Sequence, residues 1–197
     1  MNKIKNFCFI KIPKTGTTSI RYSLEKFIDS NQGIYLGNNN PINNTRGHST
    51  STDVINKIGL VKFNSIFTFT FIRNPWAREV SRFLHAKARQ KKLRNTTFEE
   101  YLNSNKFNSN KFNSIKSPIS FILHKKEVVV DFIGRFENLQ DDYNKICSMV
   151  GIPIHKLLHK NKSNHKPYVE YYNERTKKIV DIKNLKIIEM FNYRFGE

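Results

Sequence analysis

Carboxylates are scarce in this sequence: 16 Asp and Glu stand against 34 Lys and Arg in 197 residues, a formal charge of +18. That balance excludes an acidic, cation-collecting surface. It points to an anionic partner such as nucleic acid, a polyanionic glycan, a membrane surface or a phosphate-rich small molecule. The rival account of some of that lysine is a solvated surface in a chain rich in Asn, Lys, Ile and Phe, as AT-biased coding produces. Cysteine is scarcer still. Cys8 and Cys147 cannot form a disulfide framework and lack metal-ligand spacing, so both read as small core residues in a reducing compartment. No run approaches the roughly 20 apolar residues of a membrane span. Met1 to Asn6 is too short and polar for a signal peptide, so a soluble, cytoplasmic protein is expected. Glycine is sparse too, and no Gly-x-x-x-x-Gly-Lys-Ser/Thr is present, which excludes a Walker A loop.

What is present suffices for one domain. A chain of this length can bury roughly 70% of its unfolded surface, and 38% hydrophobic residues with 13% aromatics supply a core. The organising stretch is Phe7 to Leu24. An aromatic-rich run of strand length meets Pro13, then the short loop Lys14-Thr15-Gly16-Thr17-Thr18-Ser19, then a segment with Ile20, Leu24, Phe27 and Ile28 at helical spacing. A strand whose Gly-containing loop opens a helix is a ready anion site, because free N–H groups and the positive dipole end face the loop. Lys14 adds a point charge, and Thr15, Thr17, Thr18 and Ser19 add hydroxyls. The bland alternative is a strand–turn–helix with a Thr cap.

Further along, the pattern predicts a helix over 18–29, a long Asn-rich loop over 30–47 and a short helix over 52–58. A strand over 66–72 follows, then a helix opened by Pro75 with Trp76, Val80, Phe83 and Leu84 inward. The basic run 87–94 suits a helix C-terminus. Thr97 to Glu100 reads as a capping box, and Asn103 onward, with Lys-Phe-Asn-Ser twice, as a low-complexity surface insertion. A third strand is expected over 128–136 and a helix over 137–150, then a basic loop and two helical pieces, 175–182 and 185–191. Alternating strands and helices argue for an α/β fold with a mainly parallel sheet. Ligands of such sheets bind beyond the carboxyl ends of the strands, and Lys14 and Arg73 both follow strand ends.

Arg73-Asn74-Pro75 leads to Ser81 eight residues after the arginine, and an arginine fork with a hydroxyl suits a terminal phosphate. Alone, this pair reads better as a strand-end arginine paired with an acidic neighbour and a helical serine bonded to its own backbone. Together, Ile-Pro-Lys-Thr-Gly-Thr-Thr-Ser and the Arg-Asn-Pro…Ser segment resemble the two phosphate motifs of sulfotransferases that use 3′-phosphoadenosine 5′-phosphosulfate (PAPS). Asp131 to Leu139 and Asn164 to Tyr172 look like later segments of the carbohydrate-type, bacterial-like members of sulfotransferase family 2. The loop has Thr-Gly-Thr-Thr where many members have Gly-Gly-Thr or Ala-Gly-Thr, and Asn74 stands where Asp is frequent. Neither change removes a donor.

The resemblance implies a P-loop-NTPase-like three-layer sandwich, a central mainly parallel sheet flanked by helices. It spans one sulfotransferase domain, 1–197, with the insertion at 103–116. It implies PAPS as donor, its 3′,5′-bisphosphate (PAP) as product and no metal. Lys14, Thr15, Gly16, Thr17, Thr18 and Ser19 would hold the 5′ end, and Arg73 and Ser81 the 3′-phosphate. The acceptor would be a hydroxyl of a carbohydrate or another compound, and the chain's charge is compatible with an anionic one. Lys14 would stabilise the leaving group and His48 would be the base, its place between the phosphate motifs matching a proposed base in several carbohydrate sulfotransferases. His165 is the competitor. The rival functions are a nucleic-acid-binding protein, for which no recognition signature is visible, and a small-molecule kinase, which lacks Walker A.

Overall fold

The computed structural model describes residues 6–25, 27, 48–104, 117–158 and 165–197. The expected long loop over 30–47, Ile28, the repeats within 105–116 and His159 lie outside the described residues. In chain order the described elements begin with β1 (Phe7–Ile10), α1 (Thr17–Glu25), α2 (Ser51–Ile58), α3 (Leu60–Asn64), β2 (Phe67–Ile72), α4 (Pro75–Arg89) and α5 (Phe98–Asn103). They continue with β3 (Leu123–His124), β4 (Glu127–Val128), β5 (Phe132–Arg135), α6 (Leu139–Val150) and α7 (Glu174–Phe191), with short 3-10 turns between them. No helix among the described residues is long and apolar enough to cross a membrane. The chain divides into two compact units, Met1–Ile72 with Ser120–Lys162, and Arg73–Ile119 with Ser163–Glu197.

The first unit is α/β. Its three-stranded sheet is parallel throughout, in the order β1-β2-β5, with Phe9 opposite Phe69 and Phe71 opposite Gly134. Phe7, Phe9, Phe69 and Phe71 project to one face and pack with Ile20 and Leu24 of α1 and Tyr143, Ile146, Cys147 and Val150 of α6. The Phe9 and Phe69 rings stack at 4.9 Å, and Phe71 meets Phe9 edge-on at 6.4 Å. Each buried Phe is worth about 1.5–3 kcal/mol, more than a typical net hydrogen bond of about 1 kcal/mol. Burial therefore governs which residues form the strands.

The threonines of β2 alternate with phenylalanine, yet the opposite face is buried as well. Thr70 Oγ1 donates to Ile10 O at 2.6 Å, and Thr68 donates from N and Oγ1 to Asp131 Oδ2 at 2.7 and 2.8 Å. Both faces of a parallel strand are commonly covered, and threonine fits there because each hydroxyl finds an acceptor. The same Asp131 corrects the single strand expected over 128–136. Val128 pairs instead with Leu123 in a hairpin turned by Lys125 and Lys126 at positive φ. The chain then breaks at Asp131 to bind Thr68, and β5 runs only from Phe132 to Arg135. Phe136–Asn138 forms a 3-10 turn, so α6 starts at Leu139 rather than Glu137.

The second unit is helical among its described residues. Asn74 caps α4, accepting from Ala77 N at 3.0 Å, with Pro75 in the first turn where no N–H is needed. Thr97 and Glu100 form the expected capping box of α5. Trp76, Val80 and Phe83 are buried as the spacing predicts, while Leu84 is only half-buried and Arg78, Glu79 and Arg82 are buried with them. Phe98, Tyr172, Phe195 and Trp76 form a chain of edge-on ring contacts at 5.0–5.5 Å. The tail helix has the two expected pieces, joined at the non-helical Asn184.

Candidate functional site

The loop after β1 has a backbone suited to an anion. Lys14 stands at φ 70° and Gly16 at φ 77°, while Thr15 is not in the positive-φ region and Thr17 begins α1. The sign of φ thus alternates along 14–17, the arrangement that turns successive N–H groups toward one point and forms an anion-binding nest. A lysine held at positive φ costs about 1–2 kcal/mol, and such strain gathers at binding loops. The first bond of the α1 ladder is Ile20 N–H to Gly16 O at 3.2 Å. The N–H groups of Thr17, Thr18 and Ser19 therefore precede the ladder and face out of the helix N-terminus. The first turn of α1 holds no carboxylate to compete.

The hydroxyls of this loop divide by task. Thr15 is buried and its Oγ1 donates to Ile12 O at 2.9 Å, closing the turn, so Thr15 offers an anion its main-chain N–H. Lys14, Thr17 and Thr18 are half-buried, and Ser19 is buried. Gly16 rests on α6. A Cβ there would meet Leu139 Cδ2 at 2.9 Å and Phe136 Cδ2 at 3.3 Å. Sequence reasoning missed these two residues as the floor of the loop, because nothing local links 136–139 to 16.

His48 is brought to the foot of the same loop. Its Nδ1 donates to the carbonyl oxygen of Lys11 at 2.7 Å. A carbonyl only accepts, so this bond selects the tautomer whose basic nitrogen is Nε2. Thr50 and Asp53 anchor the following helix by a capping box, and Ser51 Oγ donates to Phe121 O. Lys11, unremarked in the sequence, is buried, and burial, with Arg21 nearby, lowers its ammonium below the usual lysine range while Glu25 acts the other way.

Arg73 and Ser81 belong to the second unit. Arg73 directly follows β2 in the chain, Ser81 lies two turns into α4, and both are half-buried. Asn74, between Arg73 and the helix, donates from Nδ2 to Glu197 O at 3.1 Å and Tyr168 OH at 3.3 Å. His165 belongs to this second unit too, where its Nδ1 donates to Lys166 O at 2.7 Å and its ring meets Tyr171. The basic run expected to be solvated is so: Lys91, Lys92 and Arg94 are exposed.

The family model described as the sulfotransferase family matches residues 1–192, across both units. The chain belongs to the sulfotransferase family. Its chemistry is accordingly sulfuryl transfer to a hydroxyl-bearing acceptor. A protein of Archaeoglobus fulgidus described as an uncharacterized protein is 37% identical over 103 residues, covering 50% of this chain and 78% of that relative. No solved structure matches significantly. Among the described residues of this sulfotransferase, no group of three or more His, Cys, Asp and Glu is placed to hold a metal ion.

Proposed function

We propose that the chain transfers a sulfuryl group from PAPS to a carbohydrate hydroxyl by in-line displacement, in a fold of the three-layer P-loop-like type. The observation that carries this reading is the alternation of φ along Lys14–Thr17 at the head of α1, in a member of the sulfotransferase family. The nest and the helix N-terminus fit a doubly charged 5′ group, and the Arg73 fork with the Ser81 hydroxyl fits a terminal phosphate. When bound, PAPS supplies the activated sulfuryl group. Lys14 and the loop N–H groups stabilise the negative charge that builds on the bridging oxygen of the leaving bisphosphate. His48 Nε2 accepts the proton of the attacking hydroxyl. The acceptor oxygen gains a bond to sulfur, the bridging oxygen loses one, and the products are a sulfate ester and PAP.

Thermal denaturation of the full chain tests the donor. PAP at about a hundred times its dissociation constant stabilises by roughly 2.7 kcal/mol, a rise of about 5–10 °C in Tm for a chain of this size. ATP with Mg²⁺ lacks the 3′-phosphate and shifts Tm clearly less. An equal or larger shift with ATP and Mg²⁺ overturns the reading in favour of a kinase. Screening oligosaccharides with radiolabelled PAPS then identifies the acceptor.

A further inference from the structure

The outward face of α7 carries a repeat that the fold of one chain leaves unused. Thr176, Val180, Asn184 and Ile187 are buried, whereas Arg175, Lys178, Ile182, Leu185 and Glu189 are exposed. The exposed residues follow one another at intervals of 3, 4, 3 and 4, the a and d positions of a heptad. The helix breaks at Asn184 (φ −114°, ψ 15°), whose Nδ2 donates to Val180 O at 3.0 Å. Exposure keeps its spacing across that break.

Scattered apolar residues on a surface are ordinary. Here Ile182 and Leu185, 69% and 52% exposed, fill the a and d positions of one heptad in the middle of the seam. The charges beside them say what covers it. Lys178 stands four residues before Ile182, and Glu189 four residues after Leu185. Reversed end for end, the seam is therefore its own complement. Two antiparallel helices packed on it set each a position opposite a d position. Ile182 then meets Leu185 of the second copy, and Lys178 meets its Glu189. At the outer ends Arg175 meets the exposed Asn192. A two-fold axis makes each of these contacts twice, as an isologous interface requires. A parallel pair would instead set lysine on lysine and glutamate on glutamate, which like-charge repulsion disfavours. Asp181, beside the seam, is committed within its own chain, accepting from Trp76 Nε1 at 2.7 Å and Lys177 Nζ at 2.8 Å.

We propose that this face of α7 is the two-fold interface of a homodimer, the helix packing antiparallel on its copy in a second chain. The inference is independent of the donor reading above. From Arg175 to Glu189 the seam runs about 21 Å at 1.5 Å per residue, which puts the contact at the small end of specific interfaces. Association is accordingly weak, with a dissociation constant expected between about 10 µM and about 1 mM.

Sedimentation velocity of the full chain across that range tests the proposal. Wild type is monomeric at the low end and increasingly dimeric at the high end, while Ile182→Ser stays monomeric throughout. Lys178→Glu and Glu189→Lys each weaken the dimer by at least about tenfold, because an ion pair becomes a like-charge contact. The double variant returns to within about threefold of wild type. Residues 178 and 189 lie about 16 Å apart along one helix, so rescue by exchange reports pairing between copies. The variants alter exposed residues and leave Tm within about 2 °C of wild type. A wild type that is monomeric at every concentration overturns the inference. So does a dimer that Ile182→Ser leaves intact, or one that the single charge changes weaken and the double variant does not restore. A large fall in Tm for Ile182→Ser also overturns it, the face then being packed within the chain. A monomer that co-sediments with vesicles of anionic phospholipid, and ceases to in Ile182→Ser, assigns the face to a membrane surface and overturns the dimer.

Discussion

His48 takes its proposed chemistry from a main-chain oxygen. Donation from Nδ1 to Lys11 O leaves the ring's basicity on Nε2 and ties the ring to the chain three residues before Lys14. Asparagine places an amide N–H close to where Nδ1 stood but carries no basic nitrogen. His48→Asn therefore keeps the tie to Lys11 and the stabilisation by bisphosphate, while turnover falls about 10²- to 10⁴-fold. Turnover within a few-fold of wild type, measured with radiolabelled donor, removes His48 from the mechanism and turns attention to His165. At this scale Lys14 and Gly16 were legible because strand, proline and glycine occur in immediate succession. The partners of His48 and Gly16 were not, since Lys11 O is 37 residues from His48 and Leu139 lies 123 residues beyond Gly16, distances that local pattern cannot bridge.

Among the elements, β5 depends on a glycine that no turn requires. Gly134 pairs with Phe71, and a Cβ at position 134 would lie 2.5 Å from Phe71 Cε1. An aromatic ring held between strands cannot yield as the end of a flexible side chain can. Gly134→Ala is expected to cost about 1–3 kcal/mol, as overpacking does, and Phe71→Leu in that background should recover part of the loss. A wild-type urea midpoint for Gly134→Ala excludes this contact. The sequence already shows caps and periodicity well: the Thr97–Glu100 box, the start at Pro75 and the two pieces of the tail helix all sit where residue chemistry puts them. It conceals what tertiary contacts decide. Asp131 ends a run of β-formers by reaching for Thr68. Arg78, Glu79 and Arg82 look like a solvated helix face until their mutual pairing is seen. Ile182 and Leu185 are apolar yet exposed, because Asn184 takes the inward position between them.

The whole molecule carries +18, and its response to base also involves buried neutral groups. Burial pushes the Cys8 thiol far above the usual thiol range, and also raises Cys147, Tyr143 and Tyr172. In the unfolded chain a thiol ionises from about pH 8.5 and a tyrosine from about pH 10. Above those values the unfolded state holds fewer protons than the native one, so stability falls as pH rises. Lys183 works in the opposite sense. Its lowered pKa, about 8, leaves the native lysine neutral while the unfolded one is still charged, so it adds stability between about pH 8 and its unfolded value near 10.4. For Cys8, completely buried, the loss is about 1.4 kcal/mol per pH unit above 8.5. Discharge of the surface lysines, which relaxes self-repulsion, begins only near pH 10.4, so below that the buried thiols work against Lys183 and Lys11 alone. Cys8→Ala should lower Tm somewhat at neutral pH by lost packing, but its Tm should decline less steeply from about pH 8.5 to pH 10 than that of the wild type. Parallel slopes for the two proteins in that window would show that the thiol of Cys8 is not what limits the fold in base.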